Sequence, residues 1–191
     1  MYVIVRSAFG VAAGVFSFFV QKQVGRERRR VLISVFAALV VTTFSYLVPI
    51  ENAWMVFESP KEVCSYKYGA EPELVIEGNE TALFIVNGST SMAIRTDEGW
   101  KIGQETKIRE TESLVKSGVA VLIQQYEGCE DGYAVISGFH EESDESLEMY
   151  DNRNSEFHIE KDEFSYVCRG YIGPYDGSYS VWVNGVELII N

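Results

Sequence analysis

Residues 2–20 read YVIVRSAFGVAAGVFSFFV and residues 31–48 read VLISVFAALVVTTFSYLV. Arg6 is the one charged residue in the first stretch, and the second stretch has none. At about 1.5 Å of rise per residue, each is long enough as a helix to cross the roughly 30 Å hydrocarbon core of a bilayer. A buried helix of a soluble domain normally keeps a polar stripe. The sequence therefore predicts a transmembrane helical hairpin over residues 1–50, with spans at about residues 2–20 and 31–50.

The connection between the two stretches, residues 21–30, reads QKQVGRERRR. Its basic residues are Lys22, Arg26, Arg28, Arg29 and Arg30. Lys and Arg are retained in short cytoplasmic loops, so this loop sets the membrane topology. It predicts a cytoplasmic loop, with both ends of the chain on the outer side.

Arg6 lies near the outer end of the first span, where we expect its side chain to extend to the membrane interface. A cleaved signal peptide is the alternative interpretation of residues 1–20. Signal peptides begin with a basic region and end at small residues. Met1–Val5 is uncharged and Phe18–Val20 is bulky, so the membrane span is favoured.

Charge divides the chain into two parts. Residues 1–50 carry a net charge of +5 and residues 51–191 a net charge of −17, which together give the −12 of the whole chain. An acidic domain repels phosphate backbones at long range, so a nucleic-acid partner is excluded. Cationic partners and divalent ions remain compatible with this charge, and solubility alone also explains it.

Gly10 and Gly14 form a small-x-x-x-small pair in the first span. Such pairs let a second helix approach closely. Two interpretations stay open: contact with another chain, as a homo-oligomer or with a partner subunit, or packing on the second span of the same chain.

Residues 51–191 are predicted to form an acidic, mainly β domain on the outer side, mostly antiparallel, with one short helix at its start. Ser59 is the expected N-cap of that helix, with Pro60 at its first position, Glu62 completing a capping box and Gly69 ending it. Asn184–Gly185 is typical of a two-residue hairpin turn. Residues 107–116 fit either a strand or a helical turn. Strands are predicted near residues 73–76, 82–86, 91–95, 119–125, 133–136, 156–159, 165–171 and 179–190.

No serine elbow, phosphate-binding loop or dinucleotide fingerprint occurs in the sequence, and no catalytic residue, cofactor site or metal site is predicted. Residues 141–148, preceded by His140, are the densest acidic stretch. They lack the Asp/Asn ladder, central Gly and closing Glu of a calcium loop, so a solvated acidic loop is favoured over a metal site. His158 alternates with Glu156 and Glu160 and is expected to face solvent.

The three cysteines are Cys64, Cys129 and Cys168. On the outer side of a membrane one pair could close, and Cys129 with Cys168 is the preferred pairing. Buried free thiols are an equally good interpretation. Aromatic residues are frequent near the C-terminus and fit either a groove for a peptide or glycan, or the core; they are Tyr166, Tyr171, Tyr175, Tyr179 and Trp182.

Four segments resemble those of small membrane-anchored proteins of Gram-positive bacteria, a group with no assigned activity. The segments are Pro49–Asn52, Phe57–Val63, Val75–Gly78 and Gly99–Ile102. The resemblance covers roughly residues 30–105 and implies a cell-envelope setting.

Three functional hypotheses follow. The first is a non-enzymatic membrane protein of the cell envelope whose outer β domain binds a peptide, a wall component or a membrane subunit. The second is a membrane-tethered hydrolase that uses Asp144 or Glu148 with His140. The third is an accessory subunit that acts through its membrane helices.

Overall fold

A computed structural model describes residues 2–21, 27–139 and 147–190. Two long apolar helices come first, α1 over Tyr2–Val20 and α2 over Glu27–Leu47. Both are long and apolar enough to cross a membrane. α2 begins before residue 31 and includes Arg28, Arg29 and Arg30 of the predicted loop, because Arg and Glu are good helix formers. It ends before residue 50 because Pro49 disfavours a helical residue at Val48.

α1 and α2 pack against each other as an antiparallel hairpin through the two glycines. A Cβ atom at Gly10 would lie 1.8 Å from Thr42 Oγ1 and 3.2 Å from the Ala38 carbonyl oxygen. A Cβ atom at Gly14 would lie 3.1 Å from Ala38 Cβ. The pair thus allows close approach of the second helix of the same chain.

A short helix, α3, spans Pro60–Tyr68 and confirms the predicted N-cap, first-position proline and glycine end. The Ser59 hydroxyl accepts a hydrogen bond from the Glu62 N–H, and Gly69 ends the helix in the left-handed conformation at φ 70°. The Glu62 carboxylate accepts from the Glu58 N–H, one residue before the N-cap. The 3-10 helix Ile50–Ala53 lies between α2 and α3, and the 3-10 helix Glu105–Lys107 lies within the β domain.

Twelve strands follow in the described part of the chain. They are β1 Leu74–Glu77, β2 Thr81–Val86, β3 Ser89–Thr96, β4 Gly99–Ile102, β5 Ile108–Lys116, β6 Val119–Tyr126, β7 Asp131–Phe139, β8 Met149–Asp151, β9 Phe157–Lys161, β10 Ser165–Pro174, β11 Tyr179–Val183 and β12 Val186–Ile190. Each predicted run overlaps a strand, and the run at 179–190 forms the two strands of the β11–β12 hairpin. In the segment left open, residues 108–116 form β5 and Lys107 ends the preceding 3-10 helix. Strands β4 and β8 were not predicted; they are only four and three residues long.

The strands form three sheets whose recorded pairings are all antiparallel, as expected from the short turns between them. The strand orders are β1-β2-β3-β4, β5-β6-β7-β10-β9 and β12-β11-β8. The hairpin between β11 and β12 turns at Asn184 and Gly185, whose φ angles of 48° and 76° are those of the predicted turn.

The sheets are stacked in layers, with the five-stranded sheet in the middle. One of its faces packs Val121 and Ile136 against the three-stranded sheet. Its other face packs Tyr126 and Tyr133 against Leu83 of the four-stranded sheet. α3 packs on the other face of the four-stranded sheet. α3 also contacts α1, where the Tyr2 and Tyr66 rings lie edge to face with centroids 6.0 Å apart. The helical hairpin therefore joins the β domain at α3.

Candidate functional site

A groove of about 700 Å³ lies between two sheets. One wall is β1, the edge strand of the four-stranded sheet, and the floor is formed by β9 and β10. The segment Arg153–Glu156 closes one side. A volume of this size lies within the range of roughly 300–1,000 Å³ that is common for ligand sites. We call this cavity the β1–β10 groove.

The β1 wall presents backbone groups that no strand pairs with. The Gly78 N–H donates to the Thr81 carbonyl, and the register places Ile76 opposite Leu83. Backbone groups alternate in direction along an antiparallel strand. The N–H and C=O groups of Val75 and Glu77 therefore point away from β2 and toward the groove, and no ladder in the described chain uses them.

The opposite edge of the same sheet, β4, is covered. Phe57 and Trp100 exchange two backbone hydrogen bonds of 2.9 and 2.8 Å. The Asn52 side chain donates to the Ile102 carbonyl and accepts from the Ile102 N–H, at 2.8 and 2.9 Å. Exposed edges invite pairing with another chain, and proteins usually cover or blunt them. The fold thus covers β4 and leaves β1 facing a cavity.

The groove floor carries charges of both signs. His158 lies opposite Arg169 in the β9–β10 ladder, and both line the groove with Tyr171. Arg169 donates to Glu160 at 2.8 Å. His158 is about half exposed, with its Nε2 3.8 Å from Glu160. The expectation that His158 faces solvent on the Glu160 face is confirmed.

Arg153 holds the segment that closes the groove. Its guanidinium donates to the carbonyl oxygens of Ile172, Pro174 and Ser178, and to Asp176 Oδ1. Asp151 Oδ1 accepts from the backbone N–H groups of Arg153 and Ser155. This wall is fixed by contacts within the domain, so the groove is preformed.

A buried carboxylate, Asp131, ties the β1–β2 turn to the middle sheet at the end of the groove. Its oxygens accept from the N–H groups of Asn79, Glu80 and Thr81 at 3.2, 2.7 and 2.7 Å. They also accept from the Thr81 hydroxyl at 2.9 Å and the Tyr171 hydroxyl at 2.8 Å. Burial alone would raise the pKa of Asp131, but these hydrogen bonds outweigh it and lower the pKa below its ordinary value. Asp131 therefore fixes the position of β1 over β10.

The predicted disulfide between Cys129 and Cys168 is not formed; both are free thiols, as is Cys64. Cys168 lies opposite Ile136 of β7, whereas Cys129 lies just before Asp131, where β7 begins. At about 3.3 Å per residue, Asp131 to Ile136 spans roughly 16 Å, far more than the ~7 Å limit between the Cα atoms of a disulfide. Burial raises the pKa of the Cys168 thiol to about 11 and also raises that of Cys129.

The residues proposed for a hydrolase do not come together in the described chain. His140 and Asp144 lie outside the described residues. Glu148 is outside the groove lining, and its backbone pairs with Asn184 at the β11–β12 turn. Across residues 2–21, 27–139 and 147–190, no three His, Cys, Asp or Glu side chains are arranged to hold a metal ion.

The C-terminal aromatic residues divide between core and surface. Tyr166 and Tyr179 are buried in the core between the five- and three-stranded sheets, and Tyr171 lines the groove. Trp182 stacks on the exposed Tyr150 with ring centroids 5.2 Å apart. Tyr175 is partly buried against the core.

Among the residues of the predicted topology signal, Arg28, Arg29 and Arg30 lie in the first turn of α2, and Arg26 lies outside the described residues. Arg6 is not extended toward an interface as expected. It is fully buried at the opposite end of the hairpin, paired with Glu51. Arg6 lies near the outer end of the first apolar stretch, and Glu51 follows the second stretch at the same end of the hairpin. This correspondence could have identified Glu51 as the partner of Arg6 from the sequence.

Comparison of the chain with protein-family models, with curated proteins and with solved structures finds no match.

Proposed function

We propose that this chain is a two-span membrane protein of the cell envelope whose outer β domain binds an extended peptide segment of a partner along β1. The observation that carries the proposal is the unpaired edge of β1 facing a preformed groove. An extended peptide can add a strand to such an edge, with main-chain hydrogen bonds giving affinity and side-chain contacts giving specificity.

The membrane part of the proposal rests on the hairpin. Its two helices have the length and hydropathy of spans, and the arginines at the start of α2 favour a cytoplasmic position for that end. The β domain joins the other end, at Glu51 and α3. With this orientation the β domain, and the groove with it, lies outside the cell, as the resemblance to envelope proteins of Gram-positive bacteria also implies.

The choice of an extended peptide over other partners rests on the geometry of the edge. Val75 and Glu77 offer two outward N–H groups and two outward carbonyls, which is the pattern that another strand satisfies. The domain's net charge of −17 favours encounter with neutral or cationic segments. Gly10 and Gly14 are already covered by α2, so a partner subunit would need another face of the helices.

A single backbone N–H provides the test. Glu77→Pro removes the outward N–H of Glu77 without removing a bond to β2, because proline is tolerated at such edge positions. Glu77→Ala removes the same side chain and keeps the N–H, so it is the matched control. Linear peptides would be selected from a display library on the full-length protein in lipid nanodiscs.

We expect selected peptides to bind the wild type and Glu77→Ala alike, and Glu77→Pro about fivefold to tenfold more weakly, as for the loss of one hydrogen bond. Each selected peptide would also be made in two N-methylated forms, one methylated at its odd-numbered and one at its even-numbered backbone nitrogens. Only the form whose methyl groups replace the N–H groups that face β1 should lose binding. Equal binding to Glu77→Pro and Glu77→Ala would show that the β1 edge is not the site.

A further inference from the structure

A second cavity, of about 250 Å³, lies where the helical hairpin meets the β domain. Its hairpin side is formed by Tyr2 at the start of α1, by Tyr46 and Leu47 in the last turn of α2, and by Pro49. Its domain side is polar and includes Lys67, Tyr68 and residues 103–106. We call it the junction pocket. It is separate from the β1–β10 groove.

The position of the junction pocket follows from the length of the hairpin. α2 has 21 residues, which at about 1.5 Å per residue give roughly 31 Å, close to the thickness of the hydrocarbon core. If the hairpin spans a membrane, as proposed above, the ends of α1 and α2 lie at the level of the lipid headgroups. Aromatic residues such as Tyr2 and Tyr46 are typical of that level.

The domain side of the junction pocket already holds an anionic oxygen between two donors. Glu105 Oε1 lies 3.0 Å from Lys67 Nζ and accepts from the Tyr68 hydroxyl at 2.9 Å. Lys67 Nζ also donates to Ser91 Oγ at 3.1 Å. An ammonium group has three donors, so one remains for a further acceptor. The side chain of Lys67 is 93% buried, since only 7% is exposed, whereas Glu105 is 62% exposed.

This difference in burial distinguishes the two donors, Lys67 and Tyr68, which are fixed, from the Glu105 carboxylate, which another anion can replace. Lys67 and Tyr68 lie on the same helix, α3, and the buried lysine is held in place by Ser91. Glu105 sits on a three-residue 3-10 helix with most of its side chain in solvent, so it can turn outward at small cost. Burial lowers the pKa of Lys67, and a stronger anion beside it would favour its charged form.

We propose that the junction pocket binds the phosphate group of a phospholipid from the outer leaflet, at Lys67 Nζ and the Tyr68 hydroxyl, in place of the Glu105 carboxylate. A phosphate offers several acceptor oxygens to these two donors. The apolar side formed by Leu47, Pro49 and the tyrosine rings suits the glycerol and upper acyl region of a lipid. A free phosphate ester would leave that side uncovered, so the lipid is the favoured source.

Native mass spectrometry of the full-length protein tests the proposal. The protein would be delipidated in mild detergent and titrated with phosphatidylglycerol. We expect one tightly bound lipid on the wild type and about tenfold weaker binding on Lys67→Met, because one charge-assisted hydrogen bond is lost. Lys61→Gln, which removes an exposed lysine of the same helix, is the matched control and should bind as the wild type does.

Glu105→Gln gives the sharper result, because it removes the charge of the competing carboxylate by changing an exposed side chain and leaves the buried Lys67 itself unchanged. We expect this variant to bind phosphatidylglycerol more tightly than the wild type, by about threefold to tenfold. A purely structural role of the Lys67–Glu105 pair predicts no gain. Thermal unfolding of each variant would establish that it is folded.

The proposal would be overturned by equal lipid binding of Lys67→Met and the wild type, by an equal loss in Lys61→Gln, or by no gain in Glu105→Gln. Titration with soluble glycerol phosphate separates the two sources of phosphate, and binding as tight as that of the lipid would overturn the lipid assignment. Peptide binding by the β1–β10 groove does not depend on these residues. A failure here therefore leaves the peptide proposal intact.

Discussion

Arg6 and Glu51 form a two-pronged ion pair that solvent does not reach. Arg6 Nε lies 3.0 Å from Glu51 Oε1 and the second guanidinium nitrogen lies 2.9 Å from Oε2, and both side chains are fully buried. The guanidinium carbon also lies 3.8 Å from the centroid of the Tyr2 ring. The pair joins α1 to the segment that leads from α2 into the β domain.

Removal of one member of this pair should destabilise the junction strongly. Glu51→Leu leaves the Arg6 charge buried without its partner, and we expect a loss of about 3–5 kcal/mol. The double variant Arg6→Met, Glu51→Leu removes both charges and should recover most of that loss. Thermal unfolding of the detergent-solubilised protein measures both effects. Additive losses in the double variant would contradict the pairing.

Asp131 should make the β domain sensitive to acid. Because its pKa is lowered in the folded state, its carboxylate stabilises the fold at pH values above the unfolded pKa of about 3.9, and this contribution disappears as the pH falls through the folded pKa. Asp131→Asn should cost about 1–3 kcal/mol at pH 7, because an amide has one acceptor oxygen and brings its own donors.

Urea unfolding followed by tryptophan fluorescence, at pH 7 and at about pH 3, measures this difference. The difference in the free energy of unfolding between the wild type and Asp131→Asn should be smaller at the lower pH. Glu110→Gln, a change of an exposed carboxylate on β5, is the control and should have little effect at either pH. If this difference in the free energy of unfolding is the same at both pH values, ionisation of Asp131 does not contribute to stability.

The contact between Gly10 and Thr42 predicts a rescue. Gly10→Ala places a methyl group where Thr42 Oγ1 now lies, so the hairpin must shift, at a cost of about 1–3 kcal/mol. Gly10→Ala with Thr42→Ala should recover part of this loss, whereas Gly10→Ala with Thr43→Ala should not. Thermal stability in detergent, with the oligomeric state from size exclusion, gives the readout. A change of oligomeric state without a loss of stability would favour contact with another chain instead.

The proposed topology predicts which side of the membrane each end of the hairpin faces. In a variant with Cys129→Ser, a cysteine at the exposed Asp97 should react with a membrane-impermeant maleimide on intact cells. A cysteine at Gln21, at the end of α1, should react only after permeabilisation. The reverse pattern would place the β domain in the cytoplasm. It would contradict the proposal that the domain binds its peptide partner outside the cell.

Local sequence was sufficient for much of the fold. The apolar runs predicted α1 and α2 because a bilayer-length helix needs only the residues within it. Ser59, Pro60 and Gly69 predicted α3 because caps act on their own helix. Asn184–Gly185 predicted its hairpin because a two-residue turn needs positive φ at both positions. The short strands β4 and β8 escaped prediction because three or four residues show too little alternation.

The β1–β10 groove could not be predicted from local sequence patterns. The β1–β10 groove brings residues 74–77 to residues 153–173, and nothing in either segment marks the other. A Cys129–Cys168 disulfide was compatible with the sequence because the sequence does not show that Cys129 precedes β7 whereas Cys168 pairs with the middle of that strand, at Ile136. The aromatic residues near the C-terminus are divided among the core, the groove and the surface, according to strand register.

The elements follow from the amino-acid sequence alone: two apolar helices, a capped short helix and an acidic antiparallel β domain, each specified by periodicity, composition or turn chemistry within a few residues. Three features depend on the packing of the folded chain instead: Arg6 is buried against Glu51, Asp131 fixes β1 over β10, and β1 rather than β4 is the open edge. These relationships join residues about 45 to 50 positions apart. They depend on how the layers stack, because burial and pairing of a polar group are set by neighbours that are distant in the chain.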